Sequence, residues 1–390
     1  MAAFPTATKP EDVGVDSEKL EALFARAKRD VDDGVLPGCQ VAIAREGKLA
    51  GFRAFGNARI AGIDQPTTAD TLYTIFSSTK GIVSAAAWLL IEDGLLDIDR
   101  TVASYIPEFS TNGKDVVTVE QALLHVGGFP MAPLGPKEWG SRETRLEAFA
   151  RWRLTFEPGS KFEYHATSLH WVVAELIERL SGVEWREYVR QRLTRPMGLA
   201  DSLFVGLPAE KNAHVADVFY VTPPEMPPGG WGEVTPDVIL RFNDPGTRAV
   251  GVPGGAGVAT AASLALFYQP LINGGVTADG TRIMKAETIE FATKVRTDER
   301  HVDMLFSKPI NRALGVCVSG DRENMVYRGF GRTASERAFG HAGAGGQVAW
   351  GDPVTGISVG YVTNGFVDVE LSGRRTAAIS SLAGACAIGE

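Results

Sequence analysis

A serine and a lysine three residues apart stand at the start of an apolar stretch, in the segment Phe76-Ser77-Ser78-Thr79-Lys80-Gly81. The hydrophobic pattern predicts a buried helix over 77–92, and residues i and i+3 share a helix face. The Lys80 amine would then lie beside the Ser77 hydroxyl, and unpaired N–H groups at the helix N-terminus would stabilise an oxyanion. This arrangement predicts nucleophilic catalysis if burial keeps the amine uncharged. The alternative is a helix-capping serine with a solvated lysine.

A second serine lies in a G-x-S-x-G pattern, at Gly356-Ile357-Ser358-Val359-Gly360. This pattern carries a nucleophile only where a strand turns sharply into a helix. Here the flanking residues are apolar and β-branched, no helix follows directly, and no alternating series of strands and helices surrounds the segment. We therefore interpret Ser358 as a structural residue of a strand and Ser77 as the candidate nucleophile.

The remaining polar residues form no metal or cofactor pattern. His125, His165 and His170 lack ligand spacing, because positions five apart do not align on one helix face. The sequence contains no HExxH motif, no Cys/His cluster, no GxxxxGK[ST] loop and no dinucleotide fingerprint after a strand. We therefore predict a site with neither metal nor cofactor.

Composition and charge narrow the class of protein. The 390 residues are 44% hydrophobic and 22% charged, which is typical of a globular protein, and 39 basic against 47 acidic residues give a net charge of −8. A nucleic-acid partner would require a basic face. The longest apolar run, 82–91, is shorter than the ~20 residues that span a bilayer, and the N-terminus lacks a signal-peptide pattern. We expect a cytoplasmic protein with no nucleic-acid or membrane partner.

The order of the predicted elements indicates the fold class. Predicted helices cover 17–33, 77–92, 119–124, 145–153, 167–180, 185–193, 262–268 and 371–388, and predicted strands cover 39–44, 49–55, 313–319, 347–351 and 357–362. Strands at both ends of the chain with helices between them predict an α+β fold, in which both termini build one antiparallel sheet flanked by helices.

This order also predicts two domains with the active site between them. Residues 1–75 and 290–390 would form the α/β domain, and residues 76–289 would form a mainly helical domain. Two proline-rich segments, 129–140 and 221–232, have the composition of loops that border a substrate site. Trp139 and Trp231 in these loops are candidates to line a substrate pocket, or else they pack the loops.

Several further segments resemble the penicillin-binding-protein-like serine hydrolases, a family that includes class C β-lactamases, DD-peptidases and family VIII carboxylesterases. Ser77-Ser78-Thr79-Lys80 matches the first motif of this family. The other segments follow in the family's order: QALLHVGGF at 121–129, FEPGS at 156–160, FEY at 162–164, PMGL at 196–199, GGAG at 254–257 and FGHAG at 339–343. The resemblance extends over roughly residues 15 to 385, and it implies a serine β-lactamase-like fold.

The resemblance implies a role for each matching residue. Ser77 would be the nucleophile, and Lys80 would help to deprotonate it. Tyr164 would act as a phenolate or within a proton relay with Lys80; without the resemblance, it would be interpreted as a core tyrosine. The backbone N–H groups of Ser77 and Ala344 would form the oxyanion hole. The glycine at Gly343 would let the strand edge approach the substrate.

Three positions differ from the family pattern, and all three concern substrate recognition. Ala166 replaces the asparagine of the tyrosine motif, His341 replaces a lysine that pairs with the β-lactam carboxylate, and Ala342 replaces a threonine. An ordinary histidine is mostly neutral at pH 7. The differences therefore favour a neutral ester over an anionic amide, with Ala166, His341 and Gly343 contacting the substrate. Alternatively, His341 is an exposed residue at a strand edge.

These arguments identify the chain as a serine carboxylesterase that acts on neutral, small-molecule, short-chain esters and is closest to the family VIII enzymes. The leading alternative is a β-lactamase or DD-peptidase-like amide hydrolase, or an acyltransferase, with the same Ser77, Lys80 and Tyr164 machinery. A non-catalytic binding protein on this fold is a third possibility, although such a protein would not require all three residues.

Overall fold

A large antiparallel sheet forms the scaffold of the protein in a computed structural model that describes residues 4–132, 134–226, 234–304 and 307–389. The strands are β1 (Gly38–Arg45), β2 (Lys48–Ile60), β3 (Ile63–Pro66), β4 (Tyr73–Thr74), β5 (Leu203–Val205), β6 (Phe219–Tyr220), β7 (Gly257–Ala259), β8 (Val302–Asp303), β9 (Lys308–Pro309), β10 (Cys317–Val318), β11 (Phe339–Gly340), β12 (Val348–Gly351), β13 (Ser358–Thr363) and β14 (Gly365–Phe366). Seven of them form one sheet in the order β10-β11-β12-β13-β1-β2-β3, so both ends of the chain contribute to it.

Helices account for most of the remaining regular structure. They are α1 (Ser17–Asp32), α2 (Thr79–Glu92), α3 (Val102–Tyr105), α4 (Val119–Leu123), α5 (Pro136–Trp139), α6 (Arg142–Arg151), α7 (Ser168–Ser181), α8 (Trp185–Val189), α9 (Pro236–Leu240), α10 (Pro245–Val250), α11 (Ala261–Ile272), α12 (Ala286–Thr293) and α13 (Val369–Gly384). Short 3₁₀ turns cover Pro10–Val13, Phe76–Ser78, Pro107–Ser110, Lys114–Val116, Ala209–His214 and Arg241–Asn243, and a π turn covers Arg190–Thr194. The predicted α+β class is confirmed.

The central strands bury both of their faces because helices cover the sheet on each side. β1 lies between β13 and β2, and its side chains alternate between two cores. Val41 and Ile43 pack in the core that contains residues of α1 and α13, whereas Ala42 and Ala44 pack in the core that contains residues of α2 and α11. The small side chains on the second face let α11 lie close to the sheet.

Helix α2 lies at the centre of the helical part of the molecule. All of its residues from Thr79 to Leu90 are buried. It packs on α7, α8 and α12, and the indole N–H of Trp88 donates to the Leu314 carbonyl at 2.9 Å. A helix that is apolar on all sides must be enclosed, so this environment also encloses Lys80 at its N-terminus.

Several element boundaries differ from the sequence predictions. The predicted strand 313–319 is regular only over Cys317–Val318. The C-terminal helix ends at Gly384 rather than at 388, because Ala387 forms an antiparallel bridge with Val15. The predicted division into 1–75 with 290–390 and 76–289 stays a prediction. Among the described residues, no helix has the length and hydropathy needed to cross a membrane.

Candidate active site

Ser77 lies in the 3₁₀ turn Phe76–Ser78 immediately before α2, rather than in the first turn of an α-helix. Phe76 has a positive φ of 45°, a conformation that is strained for a bulky residue and that is often found at functional sites. The neighbouring hydroxyls fix this turn: Ser78 Oγ donates to the His341 carbonyl at 2.9 Å, and Thr79 Oγ1 donates to the Phe76 carbonyl at 2.6 Å. The turn that contains Ser77 is therefore held against His341, the residue directly after β11.

Lys80 is fully buried beside Ser77, so the alternative of a solvated lysine is wrong. Its Nζ lies 3.3 Å from Ser77 Oγ and donates to the carbonyls of Ala166 at 2.7 Å and Gly254 at 2.6 Å. A side chain at position 254 would approach Nζ to 3.2 Å. The glycine-rich segment therefore supplies a carbonyl that orients the amine, a contribution that the sequence did not reveal.

Tyr164 completes the group, because its Oη donates to Ser77 Oγ at 3.0 Å. Burial raises the pKa of Tyr164 to about 12, although the Arg312 cation and the bond to Ser77 favour ionisation. The phenol is therefore protonated near neutral pH. Of the two states that the resemblance allowed, the structure favours a neutral hydroxyl within a relay over a phenolate.

His341 is buried, not exposed at a strand edge. Its Nδ1 lies 2.7 Å from the Ala342 carbonyl, and its Nε2 lies 3.1 Å from Nη1 of Arg312. Because a guanidinium only donates, Nε2 must accept, which places the proton on Nδ1. Burial, with smaller effects from Arg312 and Lys80, holds the pKa of His341 well below its usual range. The imidazole is therefore neutral.

Arg312 is a buried cation in the site that sequence reasoning missed. Its guanidinium carbon lies 5.5 Å from the ring centroid of Tyr164 and 5.6 Å from that of Phe162. Among the described residues, no carboxylate forms an ion pair with it. Replacing the family lysine by His341 therefore does not leave the site without a positive charge. Arg312 lies outside every recognised motif, and no pattern in the sequence marks it.

The predicted oxyanion donors lie on opposite sides of a close contact between two segments. A Cβ atom on Gly343 would lie 2.3 Å from the Ile75 carbonyl, so only glycine allows the 341–347 turn to approach the Ser77 turn. The Gly343 N–H donates to the Gln347 carbonyl at 3.0 Å and fixes that turn. Within the described part of the chain, the N–H groups of Ser77 and Ala344 donate no backbone hydrogen bond. Both are thus available to a ligand.

A cavity of about 560 Å³ opens beside Ser77, a size typical of small-molecule sites. Its apolar lining includes Phe76, Phe162, Ala166, Val234, Val238, Ile239, Phe242, Ile310, Ala342 and Ala344, and its polar lining includes Ser77, Tyr164, Thr167, Asp303, Asn311, Arg312, Cys317, Tyr327, Arg328 and His341. Trp139 is not among these described lining residues; its indole N–H donates to the Leu134 carbonyl at 3.0 Å. Trp231 lies outside the described residues.

The second candidate serine, Ser358, differs from Ser77 in its hydrogen-bond partners and in its access to a ligand. It begins β13, is fully buried, and its Oγ donates to the Ala265 carbonyl at 2.7 Å while it accepts from Gln269 Nε2 at 2.7 Å. Both partners belong to α11, so the hydroxyl joins a helix to the sheet. The structure agrees with a structural role for Ser358.

The sequence matches the beta-lactamase family over residues 23–383. One relative, "Esterase/beta-lactamase LipL" of Mycobacterium tuberculosis, is 29% identical over 332 residues, which are 77% of this chain and 70% of the relative. Another, "Putative D-alanyl-D-alanine carboxypeptidase" of Escherichia coli K12, is 27% identical over 396 residues, covering 93% of this chain and 86% of the relative.

Two solved structures have the same fold over nearly their whole length. A penicillin-binding protein homologue from Caulobacter crescentus superposes with a TM-score of 0.83 and 28% identity, covering 96% of this chain and 99% of the other. A family VIII carboxylesterase superposes with a TM-score of 0.79 and 26% identity, covering 97% and 98%. Since the family match extends over most of the chain, the protein belongs to the beta-lactamase family and is a serine hydrolase.

Proposed function

We propose that the protein is a carboxylesterase that hydrolyses small, neutral, largely apolar esters through an acyl-Ser77 intermediate. One observation carries the proposal: Ser77 Oγ lies within 3.0 Å of Tyr164 Oη and 3.3 Å of Lys80 Nζ, and it borders a mainly apolar cavity. A hydroxyl with two proton-exchanging partners beside a cavity has the arrangement of an activated nucleophile.

The hydrogen bonds favour Lys80 as the first base. Tyr164 is protonated and donates to Ser77, so it has no free basic form near neutral pH. An uncharged Lys80 amine would use its two N–H groups for the carbonyls of Ala166 and Gly254 and turn its lone pair toward Ser77. In this state, the Ser77 proton passes to Lys80 as Oγ attacks the ester carbonyl.

The remaining steps use the same groups in turn. The carbonyl oxygen becomes an oxyanion that accepts hydrogen bonds from the Ser77 and Ala344 N–H groups. As the C–O bond breaks, Tyr164 donates its proton to the leaving alkoxide and recovers one from the Lys80 ammonium. Water then attacks the acyl-Ser77 carbonyl by the reverse sequence, which releases the acid and restores the Ser77 hydroxyl.

The lining favours an ester without an acylamide side chain. At 166 and 342, methyl groups stand where the related enzymes carry an amide and a hydroxyl, and His341 is neutral. A buried site that lacks these hydrogen-bonding groups gains little from a polar acylamide, because desolvating its amide would go uncompensated. The aromatic wall of Phe76 and Phe242 suits an apolar acyl chain instead.

A second candidate function is hydrolysis of an amide that carries a carboxylate, as in a D-alanyl peptide or a β-lactam. Arg312 favours it, because a buried cation that faces a cavity without an ion-pair partner among the described residues suits an anionic ligand. The name of the Escherichia coli relative refers to this type of substrate.

Turnover of p-nitrophenyl butyrate, a chromogenic cephalosporin and a D-alanyl-D-alanine peptide by wild type and Ser77→Ala tests the proposal. We expect kcat/KM of the wild type to be at least about 100-fold higher for the ester than for the other two substrates. Ser77→Ala should be inactive toward the ester. Faster turnover of the peptide or the cephalosporin would replace the esterase assignment with the amide hydrolase.

Arg312→Gln separates the two candidates further. For an ester substrate, we expect kcat/KM for p-nitrophenyl butyrate to change less than about threefold. For a carboxylate-bearing amide, loss of a charged hydrogen bond would raise KM by about tenfold or more. A large loss confined to the carboxylate-bearing substrate would favour the second candidate.

A further inference from the structure

His125 holds both sides of the peptide segment that carries Tyr164. Its carbonyl accepts the N–H of Glu163 at 3.2 Å, and its Nδ1 accepts the N–H of His165 at 2.9 Å. The two donors are the residues directly before and after Tyr164. One residue therefore fixes the backbone on each side of the catalytic tyrosine, although it lies about forty positions earlier in the chain.

The His125 ring also fixes the phenol itself. The imidazole stacks on the Tyr164 ring with centroids 4.7 Å apart and planes 19° from parallel. His125 is fully buried and does not occur among the described residues that line the cavity. Its ring reaches the cavity through two lining residues: it stacks on Tyr164 and meets the Phe162 ring edge-on, with centroids 6.0 Å apart.

The backbone of His125 adopts a conformation that favours few residue types. Its φ is +62°, in the left-handed region where glycine and asparagine are better tolerated than most residues. This strain is retained in the fold, which places the carbonyl and Nδ1 of one residue against the N–H groups of Glu163 and His165.

Burial, together with the charged and titratable groups around it, keeps the His125 ring neutral. Because Nδ1 accepts a hydrogen bond, the proton lies on Nε2. Burial, followed by the nearby Arg312, His165, Lys80 and His170, lowers the pKa of His125 well below its usual range. Tyr164 faces the ring as a neutral phenol.

We propose that His125 is a positioning residue that sets the distance between Tyr164 Oη and Ser77 Oγ. The inference rests on the proposed role of Tyr164 as the proton donor to the leaving group. Small displacements of a proton donor reduce the rate strongly, because transfer requires hydrogen-bond distance in the transition state. Substrate binding in the cavity does not depend on that distance, so the rate of acylation should respond and the affinity for substrate should not.

Two variants that both tolerate the positive φ test the proposal. His125→Gly removes the ring and the acceptor, whereas His125→Asn removes the ring but keeps an acceptor for the His165 N–H. Each is assayed with ethyl butyrate, whose alkoxide requires a proton to leave, and with p-nitrophenyl butyrate, whose phenolate leaves without one. Thermal unfolding shows that each variant is folded.

For His125→Gly we expect kcat/KM, which reports acylation, to fall about 100-fold with ethyl butyrate and less than about tenfold with p-nitrophenyl butyrate, while KM for ethyl butyrate stays within about twofold. His125→Asn should recover most of the loss. Equal losses of kcat/KM with both esters in a folded His125→Gly, or an unchanged kcat/KM, would overturn the proposal. Should His125→Gly fail to fold, the folded His125→Asn decides alone: because it lacks the stacked ring, we expect a loss of up to about tenfold that is larger with ethyl butyrate than with p-nitrophenyl butyrate, and wild-type kcat/KM with both esters would overturn the proposal.

Tyr164→Phe separates this inference from the proposed function. If Tyr164→Phe loses more activity with ethyl butyrate than with p-nitrophenyl butyrate, and folded His125→Gly does not, only the positioning role of His125 is excluded. If Tyr164→Phe instead lowers kcat/KM equally with both esters, Tyr164 is not the proton donor to the leaving group. The proposed mechanism and this inference then fail together.

Discussion

The two serines that the sequence offers as nucleophiles lie in regions with opposite chemistry. Ser77 contacts an amine and a phenol, both of which can exchange protons, and it borders a cavity. Ser358 contacts a carbonyl and a carboxamide, neither of which can, and it is enclosed between α11 and the sheet. Both hydroxyls are well hydrogen-bonded, so hydrogen bonding alone does not indicate reactivity. The acid–base character of the partners and the access to a ligand distinguish them.

Replacing each serine by alanine gives the largest contrast between the regions. We expect Ser77→Ala to lower kcat/KM for p-nitrophenyl butyrate by at least about 10⁴-fold with little change in stability. Ser358→Ala should keep the kcat of the folded enzyme and reduce the free energy of unfolding by about 1–3 kcal/mol, because the Ala265 carbonyl loses its buried donor. Esterase kinetics and urea denaturation measure the two effects, and activity lost only with Ser358→Ala would reverse the assignment.

Two tyrosines, one in each region, sharpen the same contrast. Tyr164 contacts Ser77, whereas Tyr361 lies on β13 with Ser358. We expect Tyr164→Phe to lower kcat/KM for ethyl butyrate, whose leaving group requires a proton, by about 10²–10⁴-fold, the usual range for a lost general acid. Tyr361→Phe should leave kcat unchanged. Steady-state kinetics on both variants provide the test, and wild-type kcat in Tyr164→Phe would exclude Tyr164 from proton transfer.

Two glycines face the same steric restriction with different expected consequences. A Cβ atom would lie 2.3 Å from the Ile75 carbonyl at Gly343 and 2.1 Å from the Ala261 carbonyl at Gly360. Gly343→Ala should displace the oxyanion donors and lower kcat by about 10–100-fold. Gly360→Ala should instead lower stability by about 1–3 kcal/mol without changing kcat per folded molecule. Active-site titration with an organophosphate counts the folded, active molecules in each preparation. Equal kcat values per active site for Gly343→Ala and Gly360→Ala would contradict the distinction.

The Ser77 region also contains buried histidines, so acid should destabilise it. Burial lowers the pKa of His165 to about 4 and those of His125, His170 and His341 well below 6.5. Between pH 6.5 and about 4, the unfolded chain therefore binds more protons than the folded one, and stability falls as pH falls. Each histidine contributes a slope of up to about 1.4 kcal/mol per pH unit.

Chemical denaturation at pH 7.5, 6 and 5 measures this slope. Replacing His165 by asparagine should reduce it. A free energy of unfolding that stays constant from pH 7.5 to 5 would contradict the neutral state of the buried histidines.

The sequence predicts those contacts of the site that join residues close together in the chain. It does not predict those that join residues far apart in the chain. The i, i+3 spacing on an apolar helix is enough to bring Lys80 to Ser77, and the strand pattern around Ser358 is enough to exclude it as an elbow serine. The carbonyls that orient Lys80 come from positions 86 and 174 residues later. Sequence periodicity contains no information on such contacts, and Tyr164 was recognised only through the family resemblance.

Arg312 and His125 show why recognition of motifs is also incomplete. Arg312 changes the charge of the cavity, yet its segment has no regular pattern, so no sequence feature indicates this cation. His125 lies inside a recognised segment, but its contacts with Glu163 and His165 depend on a left-handed backbone that the sequence does not indicate. Both depend on tertiary packing.

Trapping the acyl-enzyme tests the central claim most directly. The protein is mixed with p-nitrophenyl butyrate, quenched with acid during turnover, digested and analysed by mass spectrometry, with Ser77→Ala in parallel. We predict one butyryl group on the peptide that contains Ser77 and none in the variant. A butyryl group on the Ser358 peptide, or steady turnover without any covalent adduct at either serine, would contradict the account.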